Sequence, residues 1–310
     1  MFDLKNAVLD KLSSDEFNSR GISVYIKRDD LIHTEVSGNK WRKLKYNVEV
    51  CLNAKKTGIL TFGGAFSNHL LATASACNAI GLKSVGIVRG DELNAQSNHT
   101  LQRCAELGME LKFISREEYR MIPDKSFLAD LAHEFPNFHI VPEGGANYYG
   151  MIGCQEILKE IEIDFDAIFV AQGTTTTSCG LLLGLKENQE IYVVPVLKGF
   201  ASEKEMQSIF EYSGVEKEWL EDAFEKLNIL DEFHFGGYGK YDDELLDFIR
   251  TFYLNHGIKL DPIYTGKAMF AMMKELQNEK WNGKSVVFIH TGGIQGVQSI
   301  EEKSGVRLFG

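Results

Sequence analysis

The chain has 310 residues, 44% hydrophobic and 25% charged, the make-up of an ordinary soluble globular protein with one large domain or two smaller ones. Its 44 acidic against 33 basic side chains leave a net charge of −11, which argues against nucleic acid or an anionic membrane surface as the main partner. The five cysteines form no C-x-x-C pair, the eight histidines no H-E-x-x-H spacing, and no apolar run reaches membrane-spanning length, so a metal-free protein of the reducing cytoplasm is the expectation.

Short, nearly continuous apolar runs predict strands at 23–27, 58–62, 84–88, 111–114, 139–141, 167–170, 191–196 and 285–289. Such runs suit strands buried on both faces of a parallel sheet. Between them Trp41, Leu44, Val48 and Leu52 recur at helical spacing, as do Leu70, Ala74, Cys77 and Ile80. The charged stretch 203–226 reads as surface helices covering a sheet. Strand–helix alternation along the chain predicts an α/β protein with helices on both faces of open, mostly parallel twisted sheets.

Ligands of such sheets bind beyond the carboxyl ends of the strands, where strand-to-helix loops expose backbone N–H groups. Lys40 comes first. It follows Ser37-Gly38-Asn39 at a predicted helix start, where a cation opposes the helix dipole, so it is either solvated or used as a neutral amine. In Thr61-Phe62-Gly63-Gly64-Ala65-Phe66-Ser67-Asn68-His69, two glycines allow close backbone approach. Ser67 with the following amides suits a carboxylate, or simply caps the helix. In Ala171-Gln172-Gly173-Thr174-Thr175-Thr176-Thr177, four consecutive hydroxyls at a helix start exceed what one cap needs and suit a phosphate. In His290-Thr291-Gly292-Gly293 the threonine suits a ring nitrogen or hydroxyl, or the segment is simply a turn. Tyr264-Thr265-Gly266-Lys267 places a tyrosine and a threonine at a helix start, where a lone tyrosine is more often core than catalytic. Neither a G-x-G-x-x-G fingerprint nor a G-x-x-x-x-G-K-[ST] loop is present. A lysine used as a neutral amine, a phosphate cradle and a carboxylate site together suit pyridoxal phosphate.

The ordered motifs Ser37-Gly38-Asn39-Lys40, Gly63-Gly64-Ala65-Phe66-Ser67-Asn68-His69, Gly236-Gly237-Tyr238-Gly239, Tyr264-Thr265-Gly266-Lys267-Ala268-Met269 and His290-Thr291-Gly292-Gly293 resemble the D-cysteine desulfhydrase / 1-aminocyclopropane-1-carboxylate deaminase family. The resemblance implies the tryptophan-synthase β-like fold (fold type II). A small domain at 43–148 would be inserted in a larger one formed by 1–42 and 149–310.

For the matched positions it implies that Lys40 is the Schiff-base lysine and proton carrier. Ser67 would lie at the substrate carboxylate or relay a proton, and Asn68 would bond the ring hydroxyl. Gly173, Thr174, Thr175, Thr176 and Thr177 would hold the phosphate. Tyr238 and Tyr264 would flank substrate and ring, with Thr265 and Thr291 near the ring nitrogen. The implied reaction is α,β-elimination on a small amino acid such as D-cysteine, giving pyruvate, ammonia and sulfide. Deamination of the cyclopropane substrate or of another small amino acid, or cofactor binding without turnover, are the alternatives. Family members are often homodimers. Two departures stand out: Phe66 replaces the glutamine common before the Ser-Asn pair, and Thr175 and Thr176 replace phosphate-loop glycines. Thr265 stands where the cyclopropane deaminases carry glutamate, which favours elimination over ring opening.

Overall fold

A computed structural model describes residues 4–122 and 124–309. The predicted apolar runs become strands in two sheets. The strands are β1 (Leu9–Leu12), β2 (Ser23–Lys27), β3 (Gly58–Gly63), β4 (Lys83–Arg89), β5 (Met109–Ile114), β6 (Phe138–Ile140), β7 (Ala167–Gln172), β8 (Glu190–Pro195), β9 (Leu227–Ile229) and β10 (Ser285–Ile289). The larger sheet has the order β1-β2-β10-β7-β8-β9 and the smaller one β5-β4-β3-β6. Every pairing is parallel except β1 with β2. The smaller sheet draws its strands from the middle of the chain, while the larger takes strands from before and after it.

The continuous apolar pattern has a direct cause in the larger sheet. Alternation sends Val286 and Phe288 of β10 into one core with Phe169 of β7, Val194 of β8 and the helix Thr265–Glu275. Val287 and Ile289 go into the opposite core with Ile168, Val170, Ile191 and Val193. Each fully buried side chain of this kind contributes about 1.5–3 kcal/mol, so both faces demand apolar residues. The predicted surface helices appear as Ser202–Tyr212 and Lys217–Phe224, whose Met206, Phe210, Leu220 and Ala223 cover that second face.

The helix Asn39–Asn53 turns Trp41 and Leu44 toward Ala72 and Ala76 of the helix Asn68–Ile80. Cys51, rather than Leu52, completes its buried stripe with Val48, and Leu52 faces solvent. All five cysteines are buried and free. Among the described residues, no helix is long and apolar enough to cross a membrane, and no cluster of His, Cys, Asp or Glu has metal-binding geometry.

Candidate active site

The helix that carries Lys40 is seated by its own first turn. Gly38 has φ 62°, and a Cβ there would lie 1.9 Å from the Thr291 carbonyl oxygen, so only glycine lets this turn press against the 290–293 loop. The Asn39 N–H donates to that carbonyl at 3.3 Å. Behind the turn, fully buried Arg42 donates to both Asp29 oxygens (3.0 and 2.9 Å) and to Glu160 (2.5 and 2.7 Å). Lys27 joins through Glu160 at 2.8 Å. This buried cluster ties the Lys40 helix to β2 and to the end of the helix Tyr148–Lys159.

Lys40 opens into a cleft of about 1020 Å³ lined from both sheets. Its amine donates to Asn39 Oδ1 at 2.7 Å. Desolvation, with the charge of Lys43 adding, pushes the amine down to about 7. Lys43, one helical turn on, is buried and lines the same cleft, and its Nζ donates to Thr174 Oγ1 at 3.1 Å. Burial lowers its pKa too.

On the facing wall, Ser67 is both the N-cap of the helix Asn68–Ile80 and a cleft residue. Its Oγ accepts the Leu70 N–H at 3.2 Å, which leaves its own hydroxyl proton available. Asn68 and His69 complete that rim. The Thr61 hydroxyl donates to the Val141 carbonyl at 2.8 Å, so its oxygen takes the His69 Nε2–H at 2.9 Å. That network assigns the tautomer and leaves His69 Nδ1 a buried acceptor with no hydrogen-bond partner among the described residues. Burial, together with Lys40 and Lys43, holds His69 well below the usual imidazole range, and hence neutral.

The remaining walls bring Gly173, Thr174, Thr175, Tyr238, Tyr264 and Thr291 to the cleft. A Cβ on Gly173 would come within 2.7 Å of the Tyr264 ring, so glycine allows the ring to lie against this loop. The Tyr238 and Tyr264 rings meet edge to face at 6.1 Å. Phe66 stands half-exposed at the mouth, with the Lys303 ammonium 5.5 Å from its ring centre.

Three expected residues do not reach the cleft. Thr176 and Thr177 have already entered the helix Thr176–Gly184 and turn inward, Thr177 accepting from Asn39 Nδ2 at 2.9 Å. Thr265 is buried one layer behind, where its hydroxyl donates to Asp261 Oδ1 at 2.7 Å and accepts the Asp261 N–H at 2.9 Å. Asp261 also takes the N–H groups of Ile263, Tyr264 and Thr265, at 2.8–3.0 Å, and so shapes the Tyr264 turn.

Sequence reasoning assigned no role to Lys43, His69 or Asp261. The three-residue spacing from Lys40 was the available signal for Lys43, because positions i and i+3 share a helix face.

The donor set fits pyridoxal phosphate. A lysine amine lies near neutrality, a glycine–threonine loop opens a helix beside a second buried lysine, and tyrosine rings line the space between. The fold and site define a fold type II enzyme dependent on this cofactor. The family model described as "Pyridoxal-phosphate dependent enzyme" matches residues 9–292, and the chain belongs to that family.

A Pyrococcus horikoshii protein, provisionally named as a 1-aminocyclopropane-1-carboxylate deaminase, is 33% identical over 89% of this chain and 86% of its own length. The Arabidopsis thaliana mitochondrial bifunctional D-cysteine desulfhydrase/1-aminocyclopropane-1-carboxylate deaminase is 30% identical over 89% of this chain and 74% of its own. The crystal structure of an ACC deaminase homologue superposes with a TM-score of 0.77 at 28% identity, covering 98% of this chain and 94% of that one.

Proposed function

We propose that this enzyme is a D-cysteine desulfhydrase-like lyase of the cytoplasm, removing hydrogen and a β-substituent from a small amino acid to give pyruvate, ammonia and, from D-cysteine, sulfide. The observation that carries the reading is Lys40, an amine near neutrality in one cleft with the Ser67–Asn68 rim and the Lys43–Thr174 pair.

Pyridoxal phosphate supplies an electron sink when bound, while the chain's own groups bind, orient and move the proton. Lys43, with the Thr174 and Thr175 loop, would hold the phosphate, since a buried ammonium beside first-turn amides suits a dianion. The amides beyond Ser67 and the free Ser67 proton would hold the substrate carboxylate. Asn68 would meet the ring hydroxyl, Thr291 would lie near the ring nitrogen, and Tyr238 and Tyr264 would flank the substrate. Lys40 Nζ, with a pKa of about 7, is substantially unprotonated at neutral pH and can take the α-proton. Neutral His69 adds no competing positive charge there.

The cyclopropane reading is favoured by the names of relatives. Against it, Thr265 supplies no acid, and the acidic residues lining the cleft are Glu92, Glu143 and Glu205. A panel of D- and L-amino acids, β-chloroalanine and 1-aminocyclopropane-1-carboxylate, assayed for ammonia and oxoacid, tests the proposal. Pyruvate from D-cysteine is expected, with negligible ammonia from the cyclopropane. The reverse pattern would overturn it. Lys40→Ala should fold, lose the visible absorbance of bound cofactor and lose turnover by at least ~10²–10⁴-fold, the scale of a positioned base.

A further inference from the structure

We infer that Lys267 is a positioning residue: its buried ammonium latches the loop 234–240 and thereby sets Tyr238 at the cleft. The inference rests on the active-site reading only for what Tyr238 does, not for the latch itself.

Lys267 has no exposed surface and lies in the first turn of the helix Thr265–Glu275. Its Nζ donates to the carbonyls of His234 and Gly237, at 2.8 Å each. Those two carbonyls also close successive turns, accepting the Gly237 N–H at 3.0 Å and the Lys240 N–H at 3.1 Å. Tyr238 occupies the second turn. One ammonium thus joins the two turns and fixes the angle at which the second presents its tyrosine.

The loop needs such a tie. Phe235, Gly236, Gly237 and Gly239 all have positive φ, between 51° and 116°, a run with no helix or strand ladder of its own. Chain through four such residues gains little from local preference and is held by what it bonds to. Lys267 is also an expensive way to fill space. The same helix fills neighbouring buried positions with Met269 and Met272, and an ammonium moved out of water requires compensation. Asp261 and Asp242 lie near enough to favour its charge, and the two loop carbonyls are the groups it hydrogen-bonds.

Tyr264 stands three residues before Lys267, at the N-cap of the same helix, and its ring meets the Tyr238 ring. A single helical turn therefore places one tyrosine directly and the other through the lysine. Any shift of this turn moves both together, preserving the edge-to-face pair over the cleft.

The test compares Lys267→Met, Tyr238→Phe and the double variant in the cofactor-loaded protein. In Lys267→Met, amide hydrogen exchange at Gly237 and Lys240 should rise at least tenfold while exchange in 267–275 holds. For the β-substituted amino acid turned over, kcat/KM should fall about tenfold or more in each single variant. The double variant should be no worse than the poorer single one. Unchanged loop exchange, or kcat/KM losses that multiply, would overturn the latch. Gly236→Ala, which strains φ 88° at a residue whose carbonyl Lys267 does not bond, should reproduce the loss if Lys267→Met fails to fold. A protein with no turnover would sink the lyase reading, yet the exchange measurement would still decide the latch.

Discussion

The two walls of the cleft are built differently. The wall on the larger sheet is held from behind by buried polar groups: Arg42 between Asp29 and Glu160, Lys43 on Thr174, and Asp261 under the Tyr264 turn. The wall on the smaller sheet has one such contact, Thr61 between His69 and the Val141 carbonyl, and otherwise relies on Ser67 as an N-cap and an exposed Arg116–Glu92 pair at 2.6 Å. A buried polar group is costly unless fully partnered, so each one fixes its neighbours. An exposed pair exchanges easily with water and fixes little. Under the proposed function, the first wall would hold the cofactor's phosphate and the second the substrate carboxylate and the ring hydroxyl.

Asp29→Asn should break that contrast most severely. It leaves Arg42 and Lys27 sharing Glu160 in a buried site, a loss of about 3–5 kcal/mol read from urea unfolding. If stability changes by less than about 1 kcal/mol, the buried cluster is not what seats the Lys40 helix.

Lys43→Met comes next. Removing a charged donor should weaken pyridoxal phosphate binding by about 1.5–3 kcal/mol, roughly 10–150-fold, in a titration of the cofactor-free protein. Thr177→Val, whose hydroxyl faces Asn39 rather than the cleft, should instead lower stability by about 1 kcal/mol and spare that affinity more.

A third prediction concerns pH. Lys40 sits near 7 in the folded protein against 10.5 ordinarily, so between those values the unfolded chain binds more protons at this position. Its contribution to stability in cofactor-free protein therefore improves as pH rises through that window. Lys40→Met should be more stable than the unmodified chain near pH 7, and the gap should narrow toward pH 9. A gap that widens would contradict a depressed amine. Smallest of all, Arg116→Ala should cost below about 1 kcal/mol, because the Glu92 pair it breaks is solvated.

Much of the fold was legible because parallel strands buried on both faces must be almost wholly apolar, as β7 and β10 are. Two strands escaped notice for the complementary reason. β1 (Leu-Asp-Lys-Leu) and β9 (Leu-Asn-Ile) are edge strands, half-buried and short, with no such run to display. In the site, loops with backbone-level signatures were readable: Gly38, Gly63 and Gly173 mark close approaches whatever lies opposite. Thr176, Thr177 and Thr265 show the limit. A hydroxyl's residue type announces a hydrogen bond but not its partner, and here the partners are Asn39 and Asp261 for the latter two.

Composition, strand–helix alternation and loop chemistry thus sufficed for the class of fold, the cofactor and most of the cleft, since each follows from local burial or backbone geometry. Strand order was beyond them. Nothing local tells β10, the last strand, to enter between β2 and β7 and carry Thr291 against the Lys40 turn. That placement is decided by which apolar faces close the two cores together. The same holds for Lys43, His69 and Lys267. Each is an ordinary surface residue by type, and becomes a buried amine of lowered pKa, a neutral imidazole or a latch only once distant segments remove it from water.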